Sequence, residues 1–414
     1  MSRTGSRRPR GRLLAALAAG SIVALTLFCG LASNAQSRAL VSITVDTLPI
    51  ANALPMDLGI KQGFFSAQGI EINKKTLQSG NDVVLALANN NGDIGYFGWV
   101  PMMIASTQGI PITAIAASEV EGTSVADNWQ NILVKGNSSI QTPADLAGKS
   151  IAVNALKGVG EVMIKAALKK RGVNPNSVHL VAIPFPTMRT ALRNGQVDAI
   201  WVPEPFLTQG LNLDGDRIVM APGPVLGKFW PIGGYGARTQ WAQQNPGLYR
   251  KFRTAINKSL TYSQSHPAEI RALLPAGTQN VRLPIWTPLI DRAKLRQLAA
   301  YAKEFGVIDK LPNLTQLVPR SITGGKTLQG GVTTKQIRLL LDGKTVKTLP
   351  EGQYTFVVAD HSKKQSFRLR GPGVNRTTSL KGLGRSTWTL SLGPGRYTYS
   401  SAGSRKLRGA FRVT

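Results

Sequence analysis

Little in this sequence is suited to forming or breaking a covalent bond. Its three histidines, His179, His266 and His361, are far apart, and its one cysteine, Cys29, lies near the N-terminus. No Ser, His and acid spacing and no HExxH-like pair is present, which argues against a nucleophilic triad or a zinc protease site. With neither clustered imidazoles nor thiolates, no metal and no cofactor is expected. The chemistry left is binding, by polar and glycine residues at the ends of short apolar runs. Asn52 (after Pro49), Ser79 with Gly80, Gly98 with Trp99, and Ser118 occupy such places in the first part of the chain. Asn154, Gly158 with Gly160, Trp201 and Glu204 occupy them in the next part. A helix that starts at Ser79 or Gly158 presents free amide donors and a positive dipole end, which suits a sulfonate, nitrate or carboxylate without a charged side chain. The tryptophans are suited to stacking on a flat ligand. Glu204 would repel an anion unless paired, yet would suit an amine or a protonated ring nitrogen. Plainer readings stay open for each: ordinary turns, core tryptophans, and a structural role for Glu204. Arg189 reads as an exposed helix residue rather than an anion clamp.

These residues converge only if strands and helices alternate. Residues 142–206, beginning TPADLAGKSIAVNALKGVGEVMIKAALKKRG and ending VAIPFPTMRTALRNGQVDAIWVPEPF, read strand, turn, helix, strand, helix, strand. IAV, HLVAI and DAIWV are short enough for buried strands, while EVMIKAALKKRG and MRTALRNG have the 3.6-residue apolar period and close in glycine. That alternation predicts a doubly wound sheet with ligands at the carboxyl ends of its strands. Upstream, VSITVDTL, ALPMDLGIKQGFFSAQGIEIN and TLQSGNDVVLALANNNGDIGYFG repeat the pattern, and Asp82 complements the positive end of its helix. WVPMMIASTQG and PITAIAAS add a helix and a strand. NILVKGN reads as the next strand, GPVLGKFWPIGGYGAR as a Gly and Pro-rich return, and the chain from Trp241 as helices with Pro246 and Pro267 near their starts.

The N-terminus reads as an export signal: RTGSRRPRGR, then LLAALAAGSIVALTLF, then SNA, with cleavage expected after Ala35. Arg7 and Arg8 invite a twin-arginine route, and Cys29 a lipid anchor, but Phe28 fits a lipobox badly. Beyond the signal no apolar run approaches the roughly 20 residues that span a bilayer, so a soluble mature chain is expected. The precursor carries a net charge of +29, of which five arginines precede the cleavage site, leaving +24. Such a balance favours anionic solutes or envelope polyanions. No nucleic-acid partner is expected, because the chain is exported and lacks an aromatic-studded basic helix.

DLAGKSIAVN, followed by AIPFPTMRTALRNGQVDAIWVPEPF, resembles the second lobe of the bacterial sulfonate, taurine and nitrate solute-binding proteins of ABC importers. The DLxGK turn, the ALxxGxVDA run and the EPF triplet carry the resemblance, which related pyrimidine-precursor binders share. It implies an α/β, two-lobed periplasmic-binding-protein type 2 fold over 36–320, with lobe I at about 41–130 and 231–320 and lobe II at about 131–230. It also implies closure on a small anionic or zwitterionic organic solute, docking on a membrane permease driven by a cytoplasmic ATPase, and a place in the periplasm or at the cell surface. Fungal pyrimidine synthases of the superfamily use a Cys-rich iron motif that is missing here, so a receptor is expected rather than an enzyme. Two other readings stay open. One is a pyrimidine-precursor receptor, favoured by Trp99, Trp201 and Glu204; the other is an envelope-binding or sensory protein.

After a Gly and Thr-rich stretch, 321–334, expected to be a flexible linker, residues 335–414 give short alternating strands punctuated by Gly and Pro. They hold 16 basic and three acidic residues, which points to anionic cell-envelope polymers as a partner. QYTFVVADHSKKQSFRLRGPGVN, STWTLSLGPGRYTY and GAFRVT resemble a cupredoxin-like sandwich. Copper-binding members keep thiolate, imidazole and thioether ligands. The resemblance puts Gln365, Ser401, Ser404 and Leu407 at those positions, and none of them can serve, so the sandwich is expected to be copper-free.

Overall fold

In the computed structural model the described residues are 1–2, 39–319, 326–350, 352–380 and 383–414. The expected export signal, with Arg7, Arg8 and Cys29, lies outside them. Strands β1 (Val41–Thr47), β2 (Ile70–Thr76), β3 (Ile94–Gly98) and β4 (Ile112–Val120) belong to a first sheet. Helices α1 (Leu54–Lys61), α2 (Gly80–Ala88) and α3 (Trp99–Thr107) connect them. A second sheet holds β5 (Gln130–Val134), β6 (Ser150–Val153), β7 (His179–Ala182), β8 (Ala199–Pro203) and β9 (Arg217–Met220). Its connections include α4 (Val159–Lys170), α5 (Phe185–Arg193) and α6 (Phe206–Leu213), with α7 (Pro222–Leu226) after β9. The chain then returns through β10 (Pro231–Arg238) and β11 (Ile285–Trp286) to the first sheet. Long helices α8 (Pro246–Ser265) and α9 (Arg292–Glu304) pack on that lobe.

The sheet orders are β11-β4-β10-β3-β1-β2 and β7-β6-β8-β5-β9. Within them β1, β2 and β3 are parallel, as are β6, β7 and β8, because each pair is joined through a helix. The first strand after each crossing, β5 and then β10, runs antiparallel to its neighbours. Every residue of β5 and β8 is buried, as apolar central strands require, whereas edge strand β7 is mostly exposed. The crossings are themselves paired: Glu121 N donates to Trp230 O at 2.8 Å, and Trp129 Nε1 to Val120 O at 3.0 Å.

The C-terminal part is all β, in keeping with the cupredoxin-like reading. Strands β12 (Lys326–Val332), β13 (Ile337–Leu341), β14 (Lys344–Thr345), β16 (Gly352–Asp360) and β19 (Gly384–Leu392) form one sheet. The other holds β15 (Thr348–Leu349), β17 (Arg368–Gly371), β18 (Val374–Thr377), β20 (Gly395–Ser401) and β21 (Ser404–Val413). The expected linker at 321–334 needs correction, since its described part supplies β12, paired with β13 and β16. Its glycines serve packing: a Cβ on Gly330 would lie 2.8 Å from Val358 Cγ2 and 3.3 Å from the Phe367 ring. Two of the four ligand positions of copper-binding members meet as a neutral pair, with Ser401 Oγ donating to Gln365 Oε1 at 2.6 Å.

This sandwich is seated on the crossings. Val357 joins Val120, Phe229 and Ile285 in one apolar cluster, and the Thr355 and Thr287 hydroxyls lie 3.0 Å apart. Arg385 pairs with Asp127 at 2.7 Å, and Lys228 Nζ donates to Gln329 Oε1 at 3.0 Å. Burial opposes the charge on Asp127, but Arg385 and the hydrogen bonds from Ser124 and Thr123 outweigh it and pull its pKa below the usual carboxylate value.

Candidate functional site

The carboxyl ends of β1, β3, β6 and β8 meet between the lobes, where the cleft is closed into a cavity of about 50 Å³. Closure is held by direct contacts. Asn81 Nδ2 donates to Leu156 O at 3.1 Å, Asn154 Nδ2 to Gln78 O at 3.5 Å, and Ala51 N to Glu204 O at 2.9 Å. Away from the cavity, Lys169 in the last turn of α4 forms an ion pair with Glu304 of α9. Helix α4 explains how the lobes fit: Val159, Val162, Met163 and Ala166 pack into the first lobe's core, while Ile164, Ala167 and Leu168 pack into the second's. Its last-turn Lys169 and Lys170 complement the negative end of the dipole, and Glu161, in the first turn beside the cavity, complements the positive end and accepts from Lys157 N at 2.7 Å.

Six of the sequence-derived candidates line the cavity: Asn52, Gly80, Gly98, Asn154, Gly158 and Trp201. Gly158 opens α4 without a side-chain cap. Gly160 lets that turn lie against Trp201, because a Cβ there would be 2.7 Å from the indole. Trp201 is buried and its Nε1–H has no partner; Asn52 is fully buried and neither polar atom of its amide is paired. A buried polar group left without a hydrogen bond costs about 1–3 kcal/mol. The Trp201 indole still packs in the second lobe's core, but its Nε1–H and the Asn52 amide carry that cost, which a bound solute with matching atoms would recover.

The remaining four candidates are placed outside the lining. Ser79 caps its own helix, accepting from Asp82 N at 3.2 Å and donating to Asp82 Oδ2 at 2.8 Å. Trp99 is fully buried in the first lobe's core, where Gly234 gives its ring room. Ser118 is buried one residue before Glu119, and its carbonyl accepts from Thr287 N at 2.8 Å. Glu204 binds the protein itself: its carboxylate accepts from Thr208 N at 3.0 Å, Thr208 Oγ1 at 2.8 Å and Arg282 N at 3.0 Å. Burial pushes its pKa up, opposed by those bonds. Glu204→Ala would leave three donors unpaired, so a loss of about 3 kcal/mol in urea unfolding is expected. A change under about 1 kcal/mol would remove it as a structural anchor. Arg189 is engaged as well, donating to Asp214 at 2.6 Å and to Gln209 at 2.9 Å.

The cavity also has lining residues that the sequence reading passed over: Tyr96, Glu119, Gln130 and Phe185. Glu119 lies in ITAIAASEV, and a carboxylate inside so apolar a strand was the available signal. Tyr96 Oη donates to Glu119 Oε1 at 2.9 Å, while Oε2 is buried without a partner. Burial pushes Glu119 up to about 7, although Ser118, Tyr96 and Asn52 favour its charged form. Two residues on, burial pushes Glu121 up to about 8 against Gln130 and Asn128, and Asp216 in the second lobe rises to about 6 for the same reason.

All three acids bind their protons more tightly folded than unfolded. Their stabilising contribution is full below the unfolded carboxylate pKa of about 4 and is lost as pH rises through the folded values. The melting temperature is therefore expected to fall between about pH 5 and 9, and Glu121→Gln to flatten the upper part of that fall. An unaltered slope in the variant would show that Glu121 takes no part.

A family model described as NMT1/THI5 like matches residues 51–270. The taurine-binding periplasmic protein of Escherichia coli is 28% identical over 247 residues, covering 57% of this chain and 71% of its own. The nitrate/nitrite binding protein NrtA of a Nostoc species is 24% identical over 243 residues, 54% of each chain. Among solved structures, the periplasmic aliphatic sulphonate binding protein SsuA from Escherichia coli superposes with a TM-score of 0.55 at 18% identity, covering 68% of this chain and 98% of its own. The periplasmic nitrate-binding protein NrtA from Synechocystis gives 0.57 at 14%, covering 68% and 87%. These likenesses carry the two-lobed fold, and the family model spans more than half of the sequence. The chain belongs to the NMT1/THI5-like family.

Proposed function

We propose that this protein is an exported solute receptor, not a catalyst, that closes its lobes on a small anionic or zwitterionic solute of the sulfonate, taurine or nitrate kind. The observation that carries the reading is the cavity itself. The uncapped start of α4 and the start of α2 face it from opposite lobes, and the unpaired Trp201 Nε1–H and Asn52 amide lie in its wall. Amide donors and a positive helix end hold an anion without a charged side chain. The closed form would then present both lobes to a membrane permease with its ATPase. Among the described residues no helix is long and apolar enough to cross a membrane. Of the residues that favoured a pyrimidine precursor, only Trp201 lines the cavity.

The test is the thermal shift of the purified chain with taurine, alkanesulfonates, nitrate, bicarbonate and aminopyrimidines. A ligand at 100 times its Kd stabilises by about 2.7 kcal/mol, a shift of several degrees. A shift confined to sulfonates or nitrate supports the reading, and one confined to aminopyrimidines replaces it with the precursor receptor. No shift with any solute, together with binding to an anionic envelope polymer, would replace it with envelope attachment through the basic sandwich.

A further inference from the structure

The two outer faces of the C-terminal sandwich differ in what they meet. The sheet of β12, β13, β14, β16 and β19 rests on the crossings through Thr355, Val357, Gln329 and Arg385. The sheet of β15, β17, β18, β20 and β21 turns the other way. Its Leu369, Tyr397, Tyr399, Phe411 and Val413 fill the sandwich core, so by strand alternation the residues between them point outward. Six cations stand at such outward positions: Arg368 and Arg370 on β17, Arg396 on β20, and Lys406, Arg408 and Arg412 on β21. Arg368 is half-buried and the other five are exposed.

The register sets these cations side by side. Arg396 stands directly opposite Arg412, Arg408 and Arg368 flank Ser400 on its two neighbouring strands, and Arg370 is opposite Thr398. Strands lie about 5 Å apart and outward residues recur about every 7 Å along each, so the six form one array rather than scattered charges. Like charges directly opposite on a sheet destabilise it. None of the six pairs with a carboxylate among the described residues. Of the sandwich's few acids, Asp342 lies in the β13–β14 turn, and Asp360 accepts from Thr378 Oγ1 and Ser362 N. An array held against its own repulsion attracts a chain of anions more strongly than a single one. Five of the six are arginines, whose planar fork takes two phosphate oxygens at once. Thr398, Ser400 and Ala410 between them are small and offer nothing to insert into a bilayer. The exposed leucines of the sandwich, Leu380 and Leu383, belong to the connection between β18 and β19.

We propose that this arginine face is a docking surface for a linear, phosphate-bearing polymer of the cell envelope. The polymer lies across β17, β20 and β21, with its phosphates on Arg396, Arg408 and Arg412 and on the flanking Arg368, Arg370 and Lys406. This site is separate from the solute cavity. The polymer occupies one sheet of the sandwich while the other sheet holds the crossings, so the lobes open and close on a receptor that stays tethered.

Surface plasmon resonance of the full chain on immobilised long-chain inorganic polyphosphate tests this. Because the whole chain is basic, the control takes the same charge from elsewhere on the sandwich. The triple variant Arg396→Ser, Arg408→Ser, Arg412→Ser is expected to bind about 30-fold or more weakly. The triple variant Lys335→Ser, Lys344→Ser, Lys363→Ser, at exposed positions off this face, is expected to lose less than about threefold. The arginine variant is also expected to melt higher than the unaltered protein, because Arg396 and Arg412 no longer oppose each other, and solute affinity should be the same in all three. If it does not fold, Arg408→Ser against Lys344→Ser decides, with a loss of about threefold or more expected for the first alone. Equal losses in the arginine and lysine variants overturn the site, since bulk charge then accounts for the attraction. A lower melting temperature in the arginine variant, or no binding by the unaltered protein, overturns it as well. Vesicles of phosphatidylglycerol and phosphatidylcholine bound more tightly than polyphosphate, through the same three arginines, replace the polymer with a lipid surface.

Discussion

Gly98→Leu is expected to leave both lobes folded and to weaken solute binding by about 100-fold or more. Gly98 ends β3 with φ −66° and ψ 156°, a backbone that any residue adopts, so the substitution carries no intrinsic strain. What it meets is the other lobe: a Cβ at this position would sit 2.3 Å from Val159 Cγ2, on the first turn of α4. Val159 is β-branched and helical, so its side chain has almost no other rotamer to take. A leucine therefore acts as a wedge between β3 and α4, where closure brings the walls of the cavity together. Small-angle scattering should show the variant remaining extended at solute concentrations that compact the unaltered protein, with the unfolding midpoint in the absence of solute little changed. Adding Val159→Ala to the milder Gly98→Ala is expected to recover most of the lost affinity. Wild-type affinity in Gly98→Leu would mean that capture does not require these lobes to meet.

That wedge position could be named from sequence but not explained from it. The glycines at strand ends and helix starts, Gly80, Gly98 and Gly158, were legible because short apolar runs and helical periods alternate so regularly that strand ends can be counted. Asn52, Asn154 and Trp201 followed from the same counting. Glu204 and Trp99 were misleading for a physical reason: a residue after a strand can turn inward to hold its own loop as readily as toward a ligand. Glu204 does so through Thr208 and Arg282, 78 residues away, and only tertiary structure supplies that second partner. Glu119 was missed because the expected strand PITAIAAS stops at Ser118, whereas β4 runs on to Val120 and carries Glu119 at its carboxyl end. Residues 326–332 misled because glycine marks flexibility in a linker and close packing in a strand, and composition alone does not separate the two.

The seat of the sandwich on the crossings gives the other large expected effect. On β16 the side chains alternate: Phe356 and Val358 point into the sandwich core, so Thr355 and Val357 point away from it. An outward valine would ordinarily be exposed, yet Val357 is 3% exposed because Val120, Phe229 and Ile285 cover it. Two of these residues belong to the strands and crossings that join the lobes, and the third pairs with β4. Val357→Asp puts a carboxylate into that cluster with no cation in it, at a cost of about 3 kcal/mol or more, while the sandwich core stays untouched. The sandwich is then expected to undock and melt as a separate calorimetric transition. Hydrogen exchange should rise at 121–130 and 221–231, the segments carrying Asp127, Lys228 and Phe229. Arg385→Glu attacks the same seat through the ion pair with Asp127 and should act in the same direction with a smaller effect, since that pair is partly exposed. If Val357→Asp melts in one transition with exchange in both crossings unaltered, the sandwich is only carried by the receptor. If exchange rises there and solute affinity shifts with it, the C-terminal domain sets how freely the lobes open.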